Sequence, residues 1–143
     1  MHREAYEEIL KIKSEGKIRS AGVSNYTIEN MKELGDLPAP SVNQIEINPF
    51  LYRKDTIDFC EKQGTHMQAY RGLTNGKNRE HPTITRIAQK LNRTNVQILG
   101  RWLIQHGFSH LPKSQNADRY NLYKLLNKLK IETSLFFWVV GKF

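Results

Sequence analysis

The feature that most constrains the fold of this 143-residue chain is a regular alternation of strand-like and helix-like segments. Short runs of apolar and β-branched residues predict four strands, at 18–23, 41–47, 66–70 and 108–111. Apolar residues at helical spacing predict helices at 3–14, 27–34 and 54–62, and two more that begin near Pro82 and Thr94. Strands that alternate with helices favour parallel pairing, so we expect an α/β fold with about four parallel strands.

Polar or aromatic side chains stand near the carboxyl end of each predicted strand. In parallel α/β folds, ligands bind at these ends. Asn25 and Gln44 offer the amide groups that a nicotinamide carboxamide pairs with, and Tyr70 offers an aromatic face for stacking. Asn43, Gln44 and Glu46 interrupt the strand at 41–47, and we expect such polar residues to face solvent or a functional site. The sequence thus predicts a dinucleotide site that has no glycine-rich phosphate loop.

The stretch from Leu111 to Arg119 is predicted to bind phosphate. Lys113 and Ser114 follow the last strand, Asn116 takes a helix N-cap position, and Arg119 falls in the first turn of that helix. Anions bind at helix N-termini, and the planar guanidinium group matches a phosphate. An ordinary strand-to-helix connection with solvated basic residues is the alternative.

The net positive charge indicates which kinds of binding partner to expect. Lys and Arg total 22 against 14 Asp and Glu, which favours anionic ligands. The cations are spread along the chain without a zinc-finger or RNA-binding signature, so we expect no nucleic acid partner. Cys60 is the only cysteine and the histidines lack metal-ligand spacing, so we expect no disulfide and no metal site. We also expect no signal peptide, no membrane partner and a cytoplasmic location.

Three segments carry a resemblance to a known family. Residues 16–26 resemble the G-K-I-R-x-I-G-V-S-N-F segment of the aldo-keto reductases, and residues 42–49 are similar to that family's V-N-Q-I-E-x-x-P strand. Residues 111–114 resemble its I-P-K-S signature. The match runs from about Arg3 to Arg119, and the three motifs occur in the family's order.

The resemblance implies part of a TIM (β/α)8 barrel whose complete form reduces carbonyl compounds with NADPH. It also implies the cofactor contacts of this chain. Contacts to the carboxamide fall on Ser24, Asn25 and Gln44. The stacking aromatic falls on Tyr70, and a contact near the pyrophosphate falls on Leu73. Contacts to the phosphates fall on Lys113, Ser114, Asn116 and Arg119.

Departures from the family pattern limit the expected activity. The resemblance covers only the second half of the barrel, whereas the family's catalytic tyrosine, aspartate, lysine and histidine lie on the first half. We therefore expect no catalytic residue in this chain and no carbonyl reduction by it alone. Arg71 replaces a small residue that approaches the pyrophosphate, where it either clashes or adds a cation. Leu122 and Tyr123 replace a polar pair that contacts the adenine.

The predicted organisation is a half barrel at 1–119 followed by a divergent tail at 120–143. A complete barrel takes about 250 residues. An open four-stranded sheet has two bare edges, so we expect self-association or a complementing half barrel. Two classes of function stay open. One is an NADPH-dependent oxidoreductase chain that is inactive alone, and the other is a non-catalytic nucleotide-binding or interaction module.

Overall fold

The computed structural model describes residues 2–113 together with Leu126 and Ile131. The helices are α1 His2–Ser14, α2 Ile28–Glu33, α3 Lys54–Lys62, α4 Pro82–Lys90 and α5 Asn95–Gln105, with a short 3-10 helix at Thr74–Gly76. The strands are β1 Gly22–Ser24, β2 Val42–Glu46, β3 His66–Tyr70 and β4 Ser109–His110. They form one sheet in the order β1-β2-β3-β4. The α/β alternation with four strands is confirmed.

The first strand is shorter than the sequence predicts. Its parallel pairing begins where Gly22 stands opposite Val42, so residues 18–20 precede the ladder. The backbones come close at this point: a Cβ atom on Gly22 would lie 3.0 Å from the Val42 carbonyl oxygen. A side chain at this position would therefore require the Val42 backbone to shift by a few tenths of an ångström. The predicted boundary between residues 119 and 120 lies outside the described residues.

Side-chain caps fix where the helices begin. Thr27 and Thr94 each form a capping box, in which the threonine hydroxyl accepts a hydrogen bond from the backbone N–H three residues on. His81 caps α4 by accepting from the Thr83 N–H through Nδ1 at 3.3 Å. The threonine side chains thus fix the first turns of α2 and α5, and His81 does the same for α4. No helix in the described ranges is both long enough and apolar enough to cross a membrane.

The described residues divide into two compact units. The first unit contains residues 2–45 and 53–68, and its core is formed by α1, α2, α3 and the strands beside them. Arg3 ties α1 to the end of α2, because it donates to the Leu34 carbonyl at 2.7 Å and to Asp36 at 2.9 Å. The guanidinium hydrogen bond holds the pKa of Asp36 below its usual value. The buried apolar side chains include Tyr6, Met31, Leu34, Ile45, Ile57, Cys60 and Met67.

The second unit contains residues 46–52 and 69–113, with Leu126 and Ile131. An aromatic cluster anchors α5 in it: the Trp102 and His106 ring centroids are 4.3 Å apart, and Tyr52 packs edge-on at 5.5 Å from each. Phe108 adds a ring stacked on His106 at 5.9 Å. Trp102 is 1% exposed and lies at the centre of this core.

Asn43 is the polar residue at the centre of the first unit. It is fully buried, and its side chain bonds both backbone groups of Tyr26: it donates to the carbonyl at 2.9 Å and accepts from the N–H at 3.4 Å. It also donates to the Cys60 sulfur at 3.7 Å. The expectation that Asn43 faces solvent or a site is wrong, because this amide completes the backbone hydrogen bonding of a loop that has no strand partner there.

We predict that Asn43→Ala lowers the free energy of unfolding by about 1–3 kcal/mol, because it removes the partners of two partly buried backbone groups of Tyr26. Urea unfolding followed by circular dichroism measures the change. Asn78→Ala removes an exposed amide from the second unit and serves as the control, with an unchanged midpoint expected. A parent-like midpoint for Asn43→Ala would contradict the role given to this side chain.

Candidate functional site

The end of β1 forms a small polar cluster with β2 in the first unit. The Gln44 carbonyl accepts two hydrogen bonds, from the Asn25 N–H at 3.0 Å and from the Ser24 hydroxyl at 2.9 Å. Asn25 has a left-handed backbone with φ of 58°, a conformation that asparagine tolerates better than most residues. Its side-chain amide donates to the Ser24 hydroxyl at 3.3 Å. The structure thus joins the three residues predicted to bind a carboxamide, and we call them the amide cluster.

Gln68 orients the side chain of Gln44. The Gln44 Nε2 group donates to the Gln68 Oε1 atom at 2.7 Å, so the Gln44 Oε1 atom keeps its capacity to accept a hydrogen bond. An acceptor held in this way suits the N–H groups of a primary carboxamide. Gln68 is not among the predicted site residues, although the alternation of β3 contains the signal: Gln68 and Tyr70 share one face of the strand, opposite buried Met67 and Ala69.

The second unit contains a cavity of about 640 Å³ beside the ends of β3 and β4. This volume lies within the range of ligand pockets. The predicted residues Tyr70, Leu73 and Lys113 all line it, and so do Arg71, Arg79 and His110. We call it the β3–β4 cavity. Its position beyond the carboxyl ends of the strands is the one that the alternating pattern predicts.

The lining of the β3–β4 cavity is positively charged. It includes Arg71, Arg79 and Lys113, and no aspartate or glutamate lines it within the described part of the chain. Arg79 pairs with its neighbour Glu80 at 2.9 Å, and Arg71 pairs with Glu46 of β2 at 3.4 Å. These carboxylates lie outside the lining, so the cavity presents a positive wall that favours an anionic ligand.

Arg71 is held beside the aromatic group of the cavity. Its backbone has a left-handed φ of 51°, and its carbonyl accepts from the Thr74 N–H at 2.8 Å to start the following turn. Its guanidinium carbon lies 5.8 Å from the centroid of the Tyr70 ring, within cation–π range. Arg71 thus lies in the cavity wall, with its guanidinium group paired with Glu46.

His110 fills a slot between two glycines. A Cβ atom on Gly72 would lie 3.1 Å from its Nδ1 atom, and one on Gly100 would lie 3.5 Å from its Nε2 atom. The same added atoms would come within 2.2 Å of Leu103 and 2.8 Å of Leu126, so no larger residue fits either position without repacking. Burial in this slot lowers the pKa of His110 to about 4. The imidazole is therefore neutral at pH 7, and it adds no charge to the cavity wall.

The remaining predicted phosphate contacts, Ser114, Asn116 and Arg119, lie outside the described residues. Within residues 2–113, Leu126 and Ile131, no group of three or more metal-ligating side chains is placed to hold a metal ion.

Comparison with known proteins identifies the class. Four strands that alternate with helices match part of the parallel α/β barrel of solved structures. A sequence profile described as the Aldo/keto reductase family matches residues 2–134. The chain belongs to the aldo/keto reductase family.

Individual relatives agree with this assignment. The oxidoreductase YtbE of Bacillus subtilis is 36% identical over 120 residues, which cover 82% of this chain and 43% of that protein. Glyoxal reductase from the same bacterium is 33% identical over 130 residues, which cover 84% and 47%. A crystal structure of an aldo-keto reductase from Bombyx mori in complex with NADP superposes with a TM-score of 0.87 at 26% identity, over 96% of this chain and 49% of that one. The chain thus spans about half the length of these relatives.

We predict that stability falls as the pH drops from about 6.5 to 4, because His110 is protonated more readily in the unfolded chain than in the slot. The unfolded state then binds more protons, and the loss reaches about 3 kcal/mol at the acid end. Urea midpoints across this range measure it.

The slope of stability against pH shows whether His110 is the group that causes the loss of stability. His110→Gln removes the ionisable group and is expected to flatten the dependence on pH by that amount, whatever its effect on stability at pH 7. Asn78→Ala removes no ionisable group and is expected to keep the slope of the parent. Equal slopes for the parent and His110→Gln would contradict the prediction.

Proposed function

We propose that this chain is the second, cofactor-binding half of an aldo-keto reductase barrel and that it binds NADPH. The observation that carries the proposal is the β3–β4 cavity, whose wall combines Tyr70 with the cations Arg71, Arg79 and Lys113. An aromatic face together with several cations matches a ligand that has both a flat ring and phosphates. The relative from Bombyx mori was crystallised with NADP, which supports the same ligand here.

The amide cluster is proposed to hold the carboxamide of the cofactor. Hydrogen bonds already hold the side chains of Ser24 and Asn25, and Gln68 holds that of Gln44, so little side-chain freedom is lost when a ligand binds. Gln44 presents its Oε1 atom as an acceptor because Gln68 occupies its Nε2 group. In this assignment Gln68 is a positioning residue that selects which end of the Gln44 amide meets the ligand.

The β3–β4 cavity is proposed to receive the ring and the phosphates. Tyr70 provides the stacking face, Leu73 contacts the pyrophosphate region, and Lys113 pairs with a phosphate. We assign the remaining phosphate contacts to Ser114, Asn116 and Arg119, following the family resemblance. When bound, the cofactor supplies a hydride to a carbonyl carbon. The described residues of this chain bind the cofactor and orient it.

We further propose that the chain alone does not reduce carbonyl compounds, because the positions that carry the family's proton donor lie in the other half of the barrel. Edge strands present unpaired backbone groups, and β1 and β4 are the outermost strands of the described sheet. These edges support self-association or pairing with a complementing half barrel. A dimer of this chain would cover edges without adding the proton donor.

We predict that NADPH binds and that Lys113→Ala weakens the binding about tenfold, because a charge-assisted hydrogen bond to phosphate is lost. A titration that follows NADPH fluorescence measures the dissociation constants. Lys90→Ala removes an exposed lysine that does not line the cavity and is expected to bind like the parent. Equal affinities for the parent and Lys113→Ala would contradict the phosphate assignment.

We predict no NADPH-dependent reduction of glyoxal by the pure chain at any protein concentration, because association of identical chains brings no proton donor. Glyoxal is the probe because glyoxal reductase is among the relatives. Loss of NADPH absorbance measures turnover, and the binding titration on the same sample separates an inactive chain from one that fails to bind. Steady turnover by the pure chain would contradict the proposal.

A further inference from the structure

We propose that Arg71 is a switchable phosphate ligand of the β3–β4 cavity, which Glu46 holds until an anionic ligand draws the guanidinium group away. This inference rests on the proposed function, since it assigns a new contact for the diphosphate of the cofactor. Its basis is the placement of Arg71, Glu46 and the Tyr70 ring in the second unit.

The bond between Arg71 and Glu46 is weak for a charged pair. The Arg71 Nη1 atom lies 3.4 Å from the Glu46 Oε2 atom, whereas strong guanidinium–carboxylate bonds are about 2.7–2.9 Å long. One nitrogen is involved, so the pair is not bidentate. The Arg71 side chain is 53% exposed, and exposed ion pairs contribute little because water screens them. The guanidinium group therefore leaves Glu46 at little cost.

Arg71 differs from the other cations of the cavity wall in the position of the carboxylate with which it pairs. Arg79 bonds the carboxylate of the residue that follows it, at 2.9 Å. Lys113 forms no ion pair among the described residues. Only Arg71 reaches a carboxylate on another strand, and this carboxylate does not line the cavity. Glu46 thus partly neutralises one cation of the wall, although it does not itself line the cavity.

The backbone keeps Arg71 in place while its side chain moves. The Arg71 carbonyl accepts from the Thr74 N–H. Two residues earlier, the Ala69 carbonyl accepts from the Leu111 N–H at 3.2 Å. The exchange therefore needs only rotations about side-chain bonds. A diphosphate offers several anionic oxygens and bidentate geometry, and it competes well against one oxygen of the partly buried Glu46 carboxylate.

The switch predicts opposite effects for the two partners. Arg71→Ser removes the phosphate ligand and is expected to weaken NADPH binding about tenfold. Glu46→Gln releases the guanidinium group and is expected to strengthen binding about two- to fivefold. In the double variant the gain from Glu46→Gln should vanish, because the released group is gone. If the pair served only to stabilise the structure, substitution of either Arg71 or Glu46 would weaken NADPH binding.

The experiment is a calorimetric titration of the parent, both single variants and the double variant with NADPH and with inorganic pyrophosphate. Arg86→Ser, an exposed arginine of α4 that does not line the cavity, is the matched control and should bind like the parent. Inorganic pyrophosphate carries the diphosphate alone, so its binding should follow the same order among the variants.

The outcomes separate the two proposals. If NADPH binds and Lys113→Ala weakens it, but Arg71→Ser and Glu46→Gln bind like the parent, the switch is wrong and the proposed function stands. If NADPH fails to bind while pyrophosphate binds with the predicted order, the function is wrong and the switch stands. If neither ligand binds, both proposals are wrong. Weaker binding by Glu46→Gln would also overturn the switch.

Discussion

The first unit depends on the way two consecutive residues of β2 hold the loop that follows β1. The Asn43 side chain bonds both backbone groups of Tyr26, and the Gln44 carbonyl accepts from Asn25 and Ser24. These bonds continue the parallel pairing past the last residue of β1, where the chain turns away through a left-handed Asn25. The buried Asn43 amide makes the hydrogen bonds that a neighbouring strand would otherwise make with Tyr26. It thereby fixes the position at which Ser24 and Asn25 leave the sheet.

The second unit is organised by charge and by close packing. Glu80 is the only carboxylate in residues 69–113, so the cations of this segment have few internal partners. The cavity wall collects Arg71, Arg79 and Lys113, while the neighbouring His110 stays neutral because its slot between glycines excludes water. A positive wall of this kind favours a phosphate-bearing ligand. The buried imidazole shapes the floor of the cavity through its volume.

Much of this arrangement is visible in the sequence, and the reason is that the local signals agree with the fold. The strand at 66–70, the helix at 54–62 and the threonine caps of α2 and α5 follow from periodicity and capping alone. The short β1 does not, because its length is set by where Val42 stands opposite it. The role of Asn43 and the pairing of Gln44 with Gln68 also depend on contacts between distant segments, which no local pattern encodes.

The buried thiol of Cys60 is a chemical probe of local opening in the first unit. The thiol is fully buried on α3, and burial raises its pKa, so the reactive thiolate is scarce while the first unit is closed. Alkylation must therefore wait for fluctuations that part α3 from β2, and its rate reports how often they occur. Since Asn43 bonds this sulfur, the same fluctuations free the amide that holds the loop after β1. The rate at which Cys60 is alkylated can thus report how often the amide cluster loosens.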